Sequence, residues 1–303
     1  MIVNSLFPVF ALIVSGSLLK RFGLTNDVFL KTSDRLTYFI FFPALLFWKI
    51  GGASSAVFSS SGLYPAVIAT VLTVYVLSTL FIKLGKVPDS QAGSFSQSCY
   101  RFNTYIGVAI VVNALDEKGI QYFAVLIGLI IPIINVLSVA TLTWFSEKKV
   151  LPVKRLVQTA RAIATNPLIL ACLSGMVYAN LTEGFPIFLD GTLRLASFVA
   201  LPLALISIGG ALTLRGIKSH FRLALIASVF KLLVLPVTGY LFLKAFGVPQ
   251  PIFRVGLIYF ALPTSTALYV LSAQLNSDTE LASAAIALST LLSFFSLSIA
   301  LIL

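Results

Sequence analysis

Stretches of about 20 mostly apolar residues, each long enough to cross a bilayer as a helix, follow one another along almost the whole chain with only short polar breaks between them. That succession leaves no room for a separate soluble domain. Of 303 residues 58% are hydrophobic and 10% charged, with a mean hydropathy of +1.02. A soluble domain is about half apolar and a quarter charged, so lipid rather than water is the expected main solvent.

The spans read at roughly 2 to 19, 33 to 51, 62 to 83, 91 to 115, 120 to 145, 165 to 181, 187 to 212, 221 to 244, 252 to 275 and 279 to 302. The fourth and ninth are the least regular. Met1 to Asn4 brings no basic residue ahead of the first apolar run, so that run is expected to be a permanent span rather than a cleaved signal. Cys99 and Cys172 both fall inside apolar spans, where a thiol packs as a small apolar group and no disulfide is implied.

The net charge of +11 is explained by where the basic residues lie, not by a nucleic-acid partner. Fourteen of the 21 sit in alternate loops on one side: Lys20, Arg21, Lys31, Arg35, Lys83, Lys86, Lys148, Lys149, Lys154, Arg155, Arg161, Arg215, Lys218 and Arg222. The opposite loops hold five, Lys49, Lys118, Arg194, Lys244 and Arg254, and Arg101 and Lys231 lie within spans. The positive-inside rule puts the first set in the cytoplasm and both termini on the other side. His220, the single histidine, falls in the basic loop after span seven and is expected to be solvated there.

Shifting the chain on itself by 159 residues superposes Pro8 on Pro167, Gly16 on Gly175, Arg35-Leu36 on Arg194-Leu195, Pro43 on Pro202 and Gly51 on Gly210. With one or two inserted residues the match continues, Val87-Pro88 on Val248-Pro249 and Thr104 on Thr264. Each glycine and proline fixes a backbone feature, so their coincidence marks an internal repeat. The expected organisation is a first five-helix repeat at 1–145, a basic cytoplasmic linker at 146–164 and a second repeat at 165–303. Five is odd, so the second half enters the membrane inverted. The predicted fold is all-α and polytopic, ten transmembrane helices in two inverted five-helix repeats, with helices 4 and 9 broken.

Inverted repeats characterise secondary transporters, whose sites lie where discontinuous helices meet near the midplane. Polar interruptions occur at matching places, Arg101-Phe102-Asn103-Thr104 in span four and Leu262-Pro263-Thr264-Ser265-Thr266 in span nine. Pro263 removes a backbone donor, so carbonyls near Tyr259 need polar partners. The Thr264, Ser265 and Thr266 hydroxyls suit a cavity lining, and helix N-termini there favour an anion. Pro8, Pro43, Pro132, Pro202 and Pro236, lacking such clusters, read as simple kinks.

Ionisable residues at depth are costly and point to function. Arg101 stands beside the first break, where its planar fork matches a carboxylate; the alternative is snorkelling toward the cytoplasm. Lys231, about ten residues into span eight, either replaces a coupling cation or braces helices. No Asp or Glu falls deep in a span, which argues against a carboxylate-based cation exchanger. Gln97, Asn113, Asn135 and Gln274 are weaker candidate pocket members. No nucleophile, base and orienting group recur at useful spacing, so no enzyme and no cofactor or metal is expected.

The chain resembles bacterial members of the auxin efflux carrier family, related to PIN-type auxin carriers and, in fold, to bile-acid/sodium symporters. The resemblance runs nearly its full length. It is carried by Leu6-Phe7-Pro8 with Gly16 and Lys20-Arg21, Phe42 to Phe47, Asn103-Thr104 with Gly107, Asn166-Pro167 with Gly175, Leu201-Pro202 to Gly209-Gly210, and Ala261 to Thr264 running on to Ala273-Gln274. It implies a scaffold part of spans one, two, six and seven and a transport part of spans three to five and eight to ten. It further implies that spans four and nine cross near their breaks, an elevator-like movement, a homodimer through the scaffold spans and a cytoplasmic (inner) membrane location.

PIN-type members place a proline just before the span-four asparagine, where this chain has Phe102, so auxin itself does not carry over. Bacterial relatives are linked to malonate, malate and similar acids. The expected function is secondary transport of a small organic anion, a mono- or dicarboxylate, with Arg101, Asn103, Thr104, Pro263, Thr264, Ser265 and Thr266 at its site. The alternatives are a sodium- or proton-coupled symporter of the bile-acid type and a non-transporting membrane sensor.

Overall fold

The structure is a computed structural model; it describes residues 2–53, 62–145, 157, 160–161, 163–182, 184–212, 217–250 and 252–303. Every regular element among the described residues is helical. In chain order these are α1 (Ile2–Arg21), α2 (Asp27–Leu36), α3 (Phe42–Gly51), α4 (Leu63–Leu84), α5 (Asp89–Tyr100), α6 (Thr104–Ala114) and α7 (Glu117–Trp144). Then follow α8 (Pro167–Leu181), α9 (Ile187–Ala211), α10 (Ile217–Val229), α11 (Leu235–Ala245), α12 (Ile252–Ala261), α13 (Ala267–Gln274) and α14 (Thr279–Ile302).

Among the described residues, six helical runs are long and apolar enough to cross a membrane: Val3–Arg21, Leu63–Leu84, Glu117–Trp144, Ile187–Ala211, Ser219–Ala245 and Thr279–Ile302. The expected spans four and nine are interrupted, between α5 and α6 and between α12 and α13. Within the expected linker and its neighbours, Lys148, Lys149, Lys154, Arg155 and Arg215 lie outside the described residues.

Helix ends follow local chemistry. The Asn166 side chain accepts from the Leu168 and Ile169 amides, and Pro167 opens the first turn, where its missing N–H costs nothing. Asp278 caps α14 in the same way through Leu281. In the last turn of α1, the Lys20 ammonium 2.7 Å from Asp27 holds that carboxyl below its usual range.

Pro43 and Pro236 are not simple kinks. Each stands just after a π-helical turn, Thr37–Phe41 and Phe230–Val234, in which the Phe42 amide reaches back to Thr37 and the Leu235 amide to Phe230. The widened turn absorbs the bond that a proline cannot make, and such turns often accompany function. Pro8, Pro132 and Pro202 do lie within α-helices, as the reading of kinks requires.

The chain forms two compact units, each drawing on both halves of the sequence. Unit one comprises Met1–Ser60, Tyr105–Ile131 and Ile163–Leu212. In it α1 lies along α9, and α3 along α8. These crossings are close because glycine stands at them: a Cβ on Gly16 would run into the Ile206 backbone, one on Gly209 into the Ile13 carbonyl, and one on Gly175 against Ile50 and Phe47. Polar ties at one end join Trp48 Nε1 to Asp190 Oδ1 at 2.7 Å and Lys49 to Glu117 at 3.0 Å.

Unit two comprises Ser61–Thr104, Pro132–Ala162 and Thr213–Leu303. There α4 packs on α5 and α11, α10 on α5 and α14, and α12 between α11 and α14. His220 is no solvated loop residue: it lies in α10 with its Nε2 3.0 Å from Asp278 Oδ2, which also accepts from Gln91 at 3.2 Å. The Ser94 hydroxyl, beside Ser272 and Ser277, extends this polar seam along α5.

Candidate functional site

The residues of both helix breaks that were nominated from sequence lie in unit two, and the breaks touch there. α5 ends at Tyr100, Arg101 adopts extended backbone, and the Asn103 N–H donates to the Pro263 carbonyl at 2.9 Å. Phe102 stands edge-on against the Tyr259 ring at 4.4 Å. Asn103, Phe102, Pro263 and Thr264 are buried. Extended backbone deep in an apolar protein needs replacement partners for its amides and carbonyls, and the bond between the breaks is one of them.

Arg101, 8% exposed, is gripped by neutral side chains. Its Nη1 donates to Ser138 Oγ at 3.0 Å and to Gln97 Oε1 at 3.3 Å, and its Nη2 to Asn135 Oδ1 at 3.2 Å. Gln97 and Asn135 therefore belong beside the break, as residues that orient the guanidinium. Ser138, one turn beyond Asn135 on α7, completes the grip and also meets the Tyr100 hydroxyl at 3.3 Å. Sequence reasoning missed it, although its i+3 spacing from Asn135 puts both on one helix face.

At the second break, the carbonyls that Pro263 leaves without helical donors find partners from elsewhere. The Ala261 carbonyl accepts from Ser296 Oγ at 2.8 Å, and the Phe260 carbonyl from Lys231 Nζ at 3.4 Å. The Thr264 N–H donates to Ser289 Oγ at 3.2 Å. Ser289 and Ser296 stand seven residues apart, two turns along one face of α14, but nothing in the sequence singles them out from Ser283, Thr290, Ser293 and Ser298 of the same helix.

Lys231 is fully buried in the π-helical turn before Pro236, and its bond to the Phe260 carbonyl caps the C-terminal end of α12. Sequence alone suggests that only the first break carries a positive charge. Span eight brings a second basic side chain, Lys231, to the other break.

Ser265 and Thr266 are half-buried at the start of α13, and Ser265 Oγ accepts from the Ala267 amide at 3.3 Å. Thr104 opens α6, also half-buried. Two nominated residues stand apart from the breaks. Gln274 is exposed at the far end of α13. Asn113 belongs to unit one, where its amide donates to Ala109 at 2.7 Å and it borders an apolar cavity of about 230 Å³ with Pro8, Leu12, Phe198 and Pro202. Among the described residues no cluster of His, Cys, Asp and Glu could hold a metal ion.

In secondary transporters, broken helices of this kind are the usual place for a carried solute to bind. Residues 1–301 match the model of a family described as membrane transport protein. The chain belongs to this family. It is thus a multi-pass membrane transport protein, of the auxin efflux carrier type that its motifs resemble, and a transporter rather than an enzyme. A protein of Rhizobium meliloti (strain 1021) named "Putative malonate transporter" is 27% identical over 301 residues, covering 96% of this chain and 92% of that relative.

Proposed function

We propose that this protein is a secondary carrier of small organic anions, mono- or dicarboxylates, across the cytoplasmic membrane, with both termini on the non-cytoplasmic side. The substrate is held where the broken helices meet, by the Arg101 guanidinium, the Asn103 and Thr104 side chains and the Thr264, Ser265 and Thr266 hydroxyls, with Pro263 keeping the second break open. The observation that carries this reading is the bond between the two interruptions, Asn103 N–H to Pro263 O, beside a buried arginine held ready by Gln97, Asn135 and Ser138. The planar guanidinium fork matches a carboxylate, which it can bind through two parallel hydrogen bonds. The name of the Rhizobium relative supports malonate as the first substrate to try.

The same reading takes the ten helical stretches as spans in two inverted repeats, 1–145 and 165–303, joined by the basic linker. Packing within unit one supports it. The offset of 159 carries the contact of Gly16 with Ile206 onto that of Gly175 with Phe47, so one helix crossing is built twice from repeat-related residues. The further elements of the reading are an elevator-type movement of the transport spans and a homodimer through spans one, two, six and seven. Transport by purified protein in vesicles tests the site. Arg101→Ala and Asn103→Ala are each expected to slow malonate transport at least about tenfold, and unchanged rates for both would remove the site assignment.

A further inference from the structure

We propose that Lys231 is the proton-coupling residue of this carrier, its amine taking up one proton as the organic anion enters and releasing it as the anion leaves. The inference rests on the carrier reading above and adds to it the coupling ion.

The geometry is that of a charge awaiting a partner. Lys231 is fully buried, and its one described hydrogen bond is the 3.4 Å contact with the Phe260 carbonyl. Among the described residues no Asp or Glu forms an ion pair with it. The turn that holds it packs against α4, α5, α12 and α14. The titratable group those elements bring within electrostatic reach is the buried Cys99 thiol of α5. Tyr100 and Tyr259 are buried phenols on α5 and α12, Lys83 lies in the last turn of α4, and Glu280 opens α14 beside His220.

Three more polar groups at the same break point to a ligand. The Tyr259 and Thr264 hydroxyls and that of Thr290, next to Ser289 on α14, are buried with no hydrogen-bond partner among the described residues. Buried hydroxyls are normally satisfied, and each of these is a donor that an acceptor entering the break can satisfy.

An ammonium buried without a counter-ion is costly, and an incoming carboxylate offsets part of that cost. Lysine, unlike arginine, can give up its proton in such a place. Proton and anion therefore favour each other's binding, and linkage makes the effect reciprocal. The balance is simple: the Lys231 amine and one proton from solution become an ammonium paired with the carboxylate. On the other side of the membrane anion and proton leave together and the amine is restored. Arg101, permanently charged, stays out of this count.

Calorimetric titration of the purified protein with malonate at pH 8, in buffers of different ionisation enthalpy, counts the protons taken up. Uptake approaching one proton per malonate bound is expected for the wild type and none for Lys231→Arg. In vesicles loaded with a pH-sensitive dye, malonate movement should carry protons with the wild type and lose them with Lys231→Arg. Where Lys231→Arg does not fold, Lys231→Met is read in its place, and the wild-type count alone is decisive. Malonate binding without proton uptake overturns the coupling role alone. If malonate and a panel of small carboxylates all fail to bind, the carrier reading falls and this inference with it.

Discussion

The Asn103 side chain and the Asn103 backbone have separate tasks, which makes the residue informative. The bond to Pro263 is made by the main-chain N–H, so Asn103→Ala keeps it and removes only the side chain. The expected outcome is an unchanged unfolding temperature with transport reduced at least about tenfold. Asn103→Pro deletes the donor and leaves a buried carbonyl without it, at about 1–3 kcal/mol, so that variant alone should unfold several degrees lower. Arg101→Lys offers a related test. A lysine keeps the charge but cannot span Ser138 and Asn135 as the fork does, so malonate affinity is expected to fall about tenfold, roughly 1.4 kcal/mol, measured by the shift in binding midpoint. At this scale the sequence shows residues that break a local rule, Arg101 and Pro263 in apolar surroundings. It does not show what answers them: Ser138, Ser289, Ser296 and Lys231 are ordinary choices in their own helices. They acquire meaning only through contacts 25 to 37 residues away.

Among the elements, helix ends and interruptions were readable because local covalent chemistry sets them, as at Asn166-Pro167 and Leu262-Pro263. The π-helical turns ahead of Pro43 and Pro236 were not, since a proline in an apolar run is equally compatible with a kink. The place of His220 in α10, paired with Asp278, was hidden for another reason: the pairing joins residues 58 positions apart that share no motif. Helix packing gives the sharpest prediction here. On α9, Gly209 touches the Ile13 backbone, whereas Gly191 faces open space. Gly209→Ala must push two backbones apart, an overpacking cost of about 1–3 kcal/mol. Gly191→Ala gains helix propensity of up to about 1 kcal/mol. Thermal unfolding in detergent should therefore fall with the first and hold or rise with the second. Equal behaviour of the two would mean that the α1 and α9 crossing is not the tight contact described.

For the whole molecule, the repeat and the compact units divide the chain along different lines. Offset matching sees only order along the sequence, so it yields halves. Packing gathers α1, α2, α3, α8 and α9 into one unit, and α4, α5 and α10 to α14 into another, crossing the repeat boundary in each case. The basic residues add information that packing lacks, because a bilayer sorts loops by charge. Sidedness can be read directly, since Cys99 and Cys172 are free but buried and leave a low background for thiol labelling. Asn4→Cys, exposed at the start of α1, should react with a membrane-impermeant maleimide on intact cells. Lys86→Cys, exposed just after α4, should react only once the membrane is opened. The opposite pattern would invert the topology and turn the Lys20, Lys83 and Arg222 faces outward. The charge bias would then need an origin other than membrane insertion, because no such excess of lysine and arginine is expected on translocated loops.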